Sequence, residues 1–313
     1  MSGAATVPGS VVRACVVPGK PQILLAPEAN PGWASLRASY QRMRVDLEAS
    51  GAELLVLYST QWASIIGHQI QADPAPAWTK VDDDFHQLGT LRYALRMDSE
   101  FAELYRAKAA ARGLTARTVA YRGFPIDTGS IVALQLLNPD NRLPACIVSC
   151  NMYADRAETV VLGKAARDAV LESGKRVAAV AVTGLSNRLW TRWIDPAEDR
   201  IHSAKDDEWN RKLLELLGEG RLEDVSQLAR QFSAQAHGDS RMKAIWWLSA
   251  FAGASNDYRG QVYDYQAVWG TGAGLVMLEP RAGGGGDLEY DEDDTEVYRG
   301  DRDVLAGRQE EGA

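Results

Sequence analysis

The chain has 313 residues, 46% hydrophobic and 24% charged, a globular composition long enough to bury about 75% of its unfolded surface in one large domain or two smaller ones. No apolar run approaches the roughly 18 residues of a membrane span, and the start MSGAATVPGS has neither the basic nor the apolar part of a signal peptide, so a cytoplasmic protein without a membrane partner is expected. The net charge of −8 lies in one place: Gly283 to Ala313 holds eleven Asp or Glu and three Arg, leaving 31 acidic and 31 basic residues upstream, and a neutral body argues against nucleic acid as a partner.

In chain order, Leu36, Tyr40, Met43 and Leu47 repeat at helical spacing, Gly51 follows as a stop, and Glu53 to Tyr58 reads as a buried strand. The alternation returns with a helix near Ala102 to Ala111 before a strand at Thr118 to Tyr121. It returns again with a helix at Arg156 to Ser173 before a strand at Val177 to Val182. Three helices follow, at Asp206 to Leu217, Leu222 to Gln235 and Arg241 to Ala252, and a last strand at Gly274 to Leu278. Trp209, Leu213, Leu214 and Leu217 share one face of the first of these helices. The expectation is an α/β fold: a single layered domain over 1–281, with a central mixed β-sheet flanked by helices. Residues 282–313 begin with a glycine run and continue in dense like charge, so a disordered acidic C-terminal tail is expected. Its role is read as solubilising, with docking through Tyr290 and Tyr298 as the alternative.

Few residues offer chemistry. Cys15, Cys146 and Cys150 form no CxxC pair and read as reduced core or strand residues. The four histidines, His68, His86, His202 and His237, are scattered and read as surface or hydrogen-bonding groups, too few for a His-rich metal centre. The acidic run Asp195, Glu198, Asp199, Asp206, Asp207 and Glu208 reads as a helix start, capped by Ser203 or Asp206, rather than a cation site. GTGAG lacks the spacing of a dinucleotide fingerprint, and in GLSNR the place of the last elbow glycine is taken by Arg188.

Taken together, Tyr58-Ser59-Thr60-Gln61-Trp62, Gly123-Phe124-Pro125-Ile126-Asp127-Thr128-Gly129, Gly184-Leu185-Ser186 and Ile194-Asp195-Pro196 through Trp209-Asn210-Arg211 resemble the class III extradiol ring-cleaving dioxygenases. The resemblance runs from about Val12 to Leu278 and is greatest to a non-catalytic, alpha-type subunit. It implies a complex acting on 2-aminophenol or a catechol-like aromatic, in which a homologous beta subunit holds Fe(II) on two His and one carboxylate. This chain would then meet the aromatic substrate only through the complex and carry no cofactor of its own. By motif, Gly19 stands where active members have a first His, Gln61 where they have a His ligand, Thr128 and Asn187 where they have further His, and Ala244 where the carboxylate is expected, beside Lys243. These five positions are degenerate: glycine and alanine have no ligand atom, and hydroxyl and amide groups are weak neutral ligands. Gly123, Gly129, Asp127 and Trp62 read as preserved scaffold, and Trp190, Trp193, Trp246 and Trp247 as packing or interface residues. Two alternatives stand beside this reading: a stand-alone, metal-free binding module, and an enzyme with a relocated metal site using His68 or His86.

Overall fold

The computed structural model describes residues 7–189 and 192–281. Trp190 and the segment 282–313, with the expectation that it is disordered, lie outside the described residues. The fold is a mixed α/β layer structure. β1 (Ser10–Val17) leads through the short α1 (Gln22–Leu25) into α2 (Pro31–Ala49) and β2 (Leu54–Ser64). β3 (His68–Gln71), the hairpin of β4 (Ala77–Val81) and β5 (Thr90–Ala94), α3 (Ser99–Ala111), β6 (Ala116–Val119), α4 (Thr128–Leu137) and β7 (Ala145–Asn151) follow. The chain continues through α5 (Arg156–Ser173), β8 (Arg176–Val182), α6 (Ala204–Glu219), α7 (Leu222–Ala236) and α8 (Lys243–Ala252), and ends in β9 (Tyr258–Val268) and β10 (Thr271–Pro280).

The main sheet has eight strands in the order β6-β3-β7-β2-β8-β1-β10-β9. Its centre is parallel, β7 with β2, β2 with β8 and β8 with β1, while β10 joins antiparallel to β1 and β9. Side chains alternate between two cores, as the two-residue period of a strand requires. Ala14, Val16, Val56, Tyr58, Ala179 and Ala181 face one core, shared with α3, α5, α6, α7 and α8. Cys15, Val17, Leu55, Leu57, Val180 and Val182 face the other, shared with α2 and α4. Both faces are covered, which is why the central strands read as continuous apolar runs rather than alternating ones.

Local chemistry starts and stops the helices. Asn30 accepts from the backbone N–H groups of Gly32 and Trp33 at 2.7 and 3.3 Å, with Pro31 at the first helical position of α2. Asp98, Asp127, Asp155 and Ser203 cap α3, α4, α5 and α6 in the same way. Gly174 ends α5 in the left-handed conformation, where a Cβ would be strained.

The conspicuous polar run around α6 stitches the loops together. Asp199 accepts from Trp33 Nε1 and from the N–H groups of Trp269 and Gly270 at 2.7–2.9 Å. Asn210 accepts from Ser186 N–H at 3.0 Å and donates to the hydroxyls of Ser186 and Tyr265. Ser203 is the cap, accepting from Asp206 N–H at 3.1 Å; Asp206 is not a cap but a buried ion-pair partner, held by Arg188 Nε at 2.6 Å and Nη2 at 3.0 Å. Burial alone would push its carboxyl up, and the Arg188 guanidinium outweighs that, leaving it below the usual carboxylate range.

Candidate functional site

The carboxyl ends of β1, β2 and β8 open on a cleft of about 340 Å³, the usual position for a site on a parallel sheet. Gly19, Gln61, Thr128 and Asn187 all line it. Gln61 arrives through a bulge: Ser59 pairs with Ser149 and Ala63 with Cys150, so Thr60, Gln61 and Trp62 are extra on β2. Its Nε2 donates to the Gly19 carbonyl at 2.9 Å. Gly19 lies so close to Gly129 that an added Cβ would sit 2.5 Å from the Gly129 Cα and 2.8 Å from Val182 Cγ1. A side chain there, histidine included, requires the backbone to move.

The other two cleft positions are equally committed to the protein. Thr128 donates its hydroxyl to Asp82 Oδ2 at 2.6 Å. Asn187 Nδ2 donates to Asp239 Oδ1 at 3.2 Å, while its Oδ1 accepts from Leu189 N–H and Thr271 Oγ1. Asp127 accepts from Ser59 Oγ at 2.6 Å and Ser130 N–H at 2.9 Å through one oxygen; the other is buried without a partner. Trp62 packs on Phe124, ring centroids 5.6 Å apart. Trp246 and Trp247 are core residues, whereas Trp193 is 63% exposed and packs edge-on against Trp269.

Ala244 lies elsewhere, fully buried in the core in the first turn of α8. Lys243 turns its ammonium to the carbonyls of Asn151 and Met152 at 2.5 and 2.9 Å, and burial pushes its pKa down. Five carboxylates line the cleft, Asp82, Asp83, Asp84, Asp127 and Asp239, and motif spacing did not single out Asp239. Its Oδ2 accepts from Thr60 Oγ1, Thr183 Oγ1 and Gly184 N–H at 2.9–3.1 Å. The chain carries Asp239 between α7 and α8 on a segment in which Ser240, Arg241 and Met242 all have φ between 46° and 62°, a conformation costing non-glycine residues roughly 1–2 kcal/mol each. Arg241 is exposed, so Arg241→Gly is expected to raise stability by about 0.5–1 kcal/mol, the relief exceeding glycine's entropic cost; a urea unfolding midpoint checks it.

Two lysines line the cleft, Lys20 and Lys80. Burial pushes the pKa of Lys20 down, and Asp239, Asp82, Asp84 and Asp199 pull it partly back. No histidine lines the cleft. His68 is buried elsewhere, its Nε2 3.0 Å from Glu158 Oε1, and His86 is exposed in a short turn beyond β4. Among the described residues no group of three or more His, Cys, Asp or Glu is placed to hold a metal ion. A ferrous ion with two His and one carboxylate therefore does not fit the donors present. Gly19 offers no side chain, the Gln61 amide is spent on the Gly19 carbonyl, and Asp239 is saturated by neutral donors. No helix among the described residues is long and apolar enough to cross a membrane.

Comparison with known proteins places this chain in a family. A family model described as the catalytic LigB subunit of aromatic ring-opening dioxygenase matches residues 14–276. The chain is 33% identical over 269 residues to a 2-aminophenol 1,6-dioxygenase alpha subunit from Pseudomonas sp., covering 85% of this chain and 98% of the relative. It is 28% identical over 286 residues to a 2-aminophenol 1,6-dioxygenase beta subunit, also from Pseudomonas sp., covering 86% and 93%. The crystal structure of an uncharacterized protein from Escherichia coli K12 shares the fold, with a TM-score of 0.58 at 15% identity over 85% of this chain and 99% of that one. The chain belongs to the LigB family of aromatic ring-opening dioxygenase subunits.

Proposed function

We propose that this chain is the non-catalytic, alpha-type subunit of a two-subunit ring-opening dioxygenase acting on 2-aminophenol or a catechol-like aromatic. Its partner is a homologous beta subunit that carries the Fe(II) and the chemistry. The observation that carries the reading is the bond between Gln61 Nε2 and the Gly19 carbonyl across a floor with no room for a Gly19 side chain. Two positions that would hold a metal are packed against each other instead. The greater identity to an alpha subunit than to a beta subunit supports the same assignment. The chain's part is to keep the frame of the family fold and to present a stable surface to its partner.

The isolated chain, reconstituted anaerobically with Fe(II), is expected to hold no stoichiometric iron and to cleave neither 2-aminophenol nor catechol, because three coordinated side chains and their supporting shell are needed together. Iron content by elemental analysis and ring cleavage by absorbance check this. Tight 1:1 iron binding with turnover by the chain alone would end the proposal.

A further inference from the structure

On the side of the sheet away from Gly19 and Gln61, a second cavity of about 310 Å³ opens between the end of α3, α5, α7 and α8. Arg156, Lys164 and Arg167 of α5 line it at positions i, i+8 and i+11, one face of the helix, and Arg112 adds a fourth cation from the residue after α3. Two carboxylates face them, and both are engaged: Asp168 accepts from Arg112 Nε at 2.7 Å, and Glu223 accepts from Gln227 Nε2 and Ser249 Oγ at 2.6 Å. Lys164 and Arg167 have no carboxylate partner among the described residues. The groove thus carries a surplus of two positive charges in a body that is neutral overall.

The described chain ends beside this groove. Arg281 N–H donates to the Asp257 carbonyl at 3.1 Å, Glu223 N–H donates to the Ser255 carbonyl at 3.2 Å, and Ala254 is part of the groove wall. The Arg167 guanidinium lies against Gly253, at the start of the same loop. From Arg281 the sequence continues through Ala282 and four glycines, a reach of up to about 17 Å, and then enters DLEYDEDDTEVY, which holds seven Asp or Glu and no basic residue. The basic stripe of α5 from Arg156 to Arg167 is itself about 16 Å long.

We propose that the acidic segment 287–298 of this chain docks intramolecularly on the basic groove formed by Arg112, Arg156, Lys164 and Arg167. Tethering supplies a high effective concentration without any partner. Lys164 and Arg167 take the carboxylates, and Leu288 and Tyr290 reach the apolar floor of Val160, Trp246 and Ala250. The contact neutralises the groove and keeps it from recruiting other anions.

Hydrogen–deuterium exchange on the full chain tests this. At about 0.01 M salt, amides of 288–298 should exchange roughly tenfold or more slowly than an unstructured peptide, and at about 1 M salt, where screening acts within about 3 Å, the protection should vanish. Lys164→Glu with Arg167→Glu should abolish it at low salt. So should Asp293→Asn with Asp294→Asn, which leaves the body untouched and cannot unfold it. Combining the groove reversal with Asp293→Lys and Asp294→Lys should restore protection. Unprotected exchange in the unaltered chain at low salt would overturn the proposal. So would protection indifferent to these charges, or protection that rises with protein concentration, which would assign the segment to a second copy.

Discussion

Replacing Arg188 with alanine is expected to destabilise the folded chain by about 3–5 kcal/mol, the cost of stranding a buried charge. Asp206 is fully buried, and Arg188 reaches it with two guanidinium nitrogens while remaining about a quarter exposed. With the guanidinium gone, Ser203 and His202 remain beside the Asp206 carboxylate, but both favour its charged form less than Arg188 does. Replacing both residues with apolar ones of similar size should cost much less, since no charge is left behind. The effect has a pH signature. The Asp206 carboxyl of the intact chain lies below its ordinary value, so its contribution to stability is complete above the unfolded carboxyl value of about 3.9 and is lost as pH falls through the folded value. The gap between the intact chain and Arg188→Ala should therefore be full at neutral pH and close in acid, where the stranded carboxyl of the variant protonates first. Urea unfolding at neutral and acid pH reads both.

The parts of the fold legible in the sequence were those whose patterns are local. The periodicity of Leu36, Tyr40, Met43 and Leu47 marks α2, Arg156–Ser173 is the extent of α5, and the apolar run VAAVAV lies within β8. Less legible were β3, the β4–β5 hairpin and β9. They are short or partly exposed, and β9 alternates only weakly because it is the sheet's edge strand. The antiparallel pairing of β10 with β1 depends on residues more than 250 apart in the chain and leaves no local trace.

The site divides in the same way. Gly19, Gln61, Thr128 and Asn187 stand in short motifs at strand ends, and the fold brings those strand ends together. Asp239 has no motif of its own: it enters the cleft because three consecutive left-handed residues turn the chain between α7 and α8, a conformation no propensity predicts for Ser, Arg and Met. Spacing back from Trp247 leads instead to Ala244, which lies in the first turn of α8 and inside the core. The polar cluster His-Gly-Asp-Ser, in the short gap between the helices read at Leu222 to Gln235 and Arg241 to Ala252, was the available signal, since such residues favour turns over helix interiors. The seal between Gln61 and Gly19 was invisible because it needs the three-residue bulge in β2.

The central claim, that this chain frames a dioxygenase without performing its chemistry, predicts a wide separation between two substitutions in the co-expressed complex. Gln61→Ala removes the bond to the Gly19 carbonyl but no ligand, so ring cleavage should stay within about threefold. Replacing one iron ligand of the partner subunit should reduce it by several orders of magnitude, because an incomplete ligand set cannot hold or orient the metal. The same logic holds for histidine placed at Gln61 or Thr128: one ligand does not make a site, and the isolated chain should remain inactive. The measurement that decides is steady-state ring cleavage by the two complexes at matched assembly and matched iron content. Near-normal turnover with Gln61→Ala beside loss of turnover with the altered partner is the predicted result; a loss of several orders of magnitude from Gln61→Ala, with iron and assembly unchanged, would contradict it.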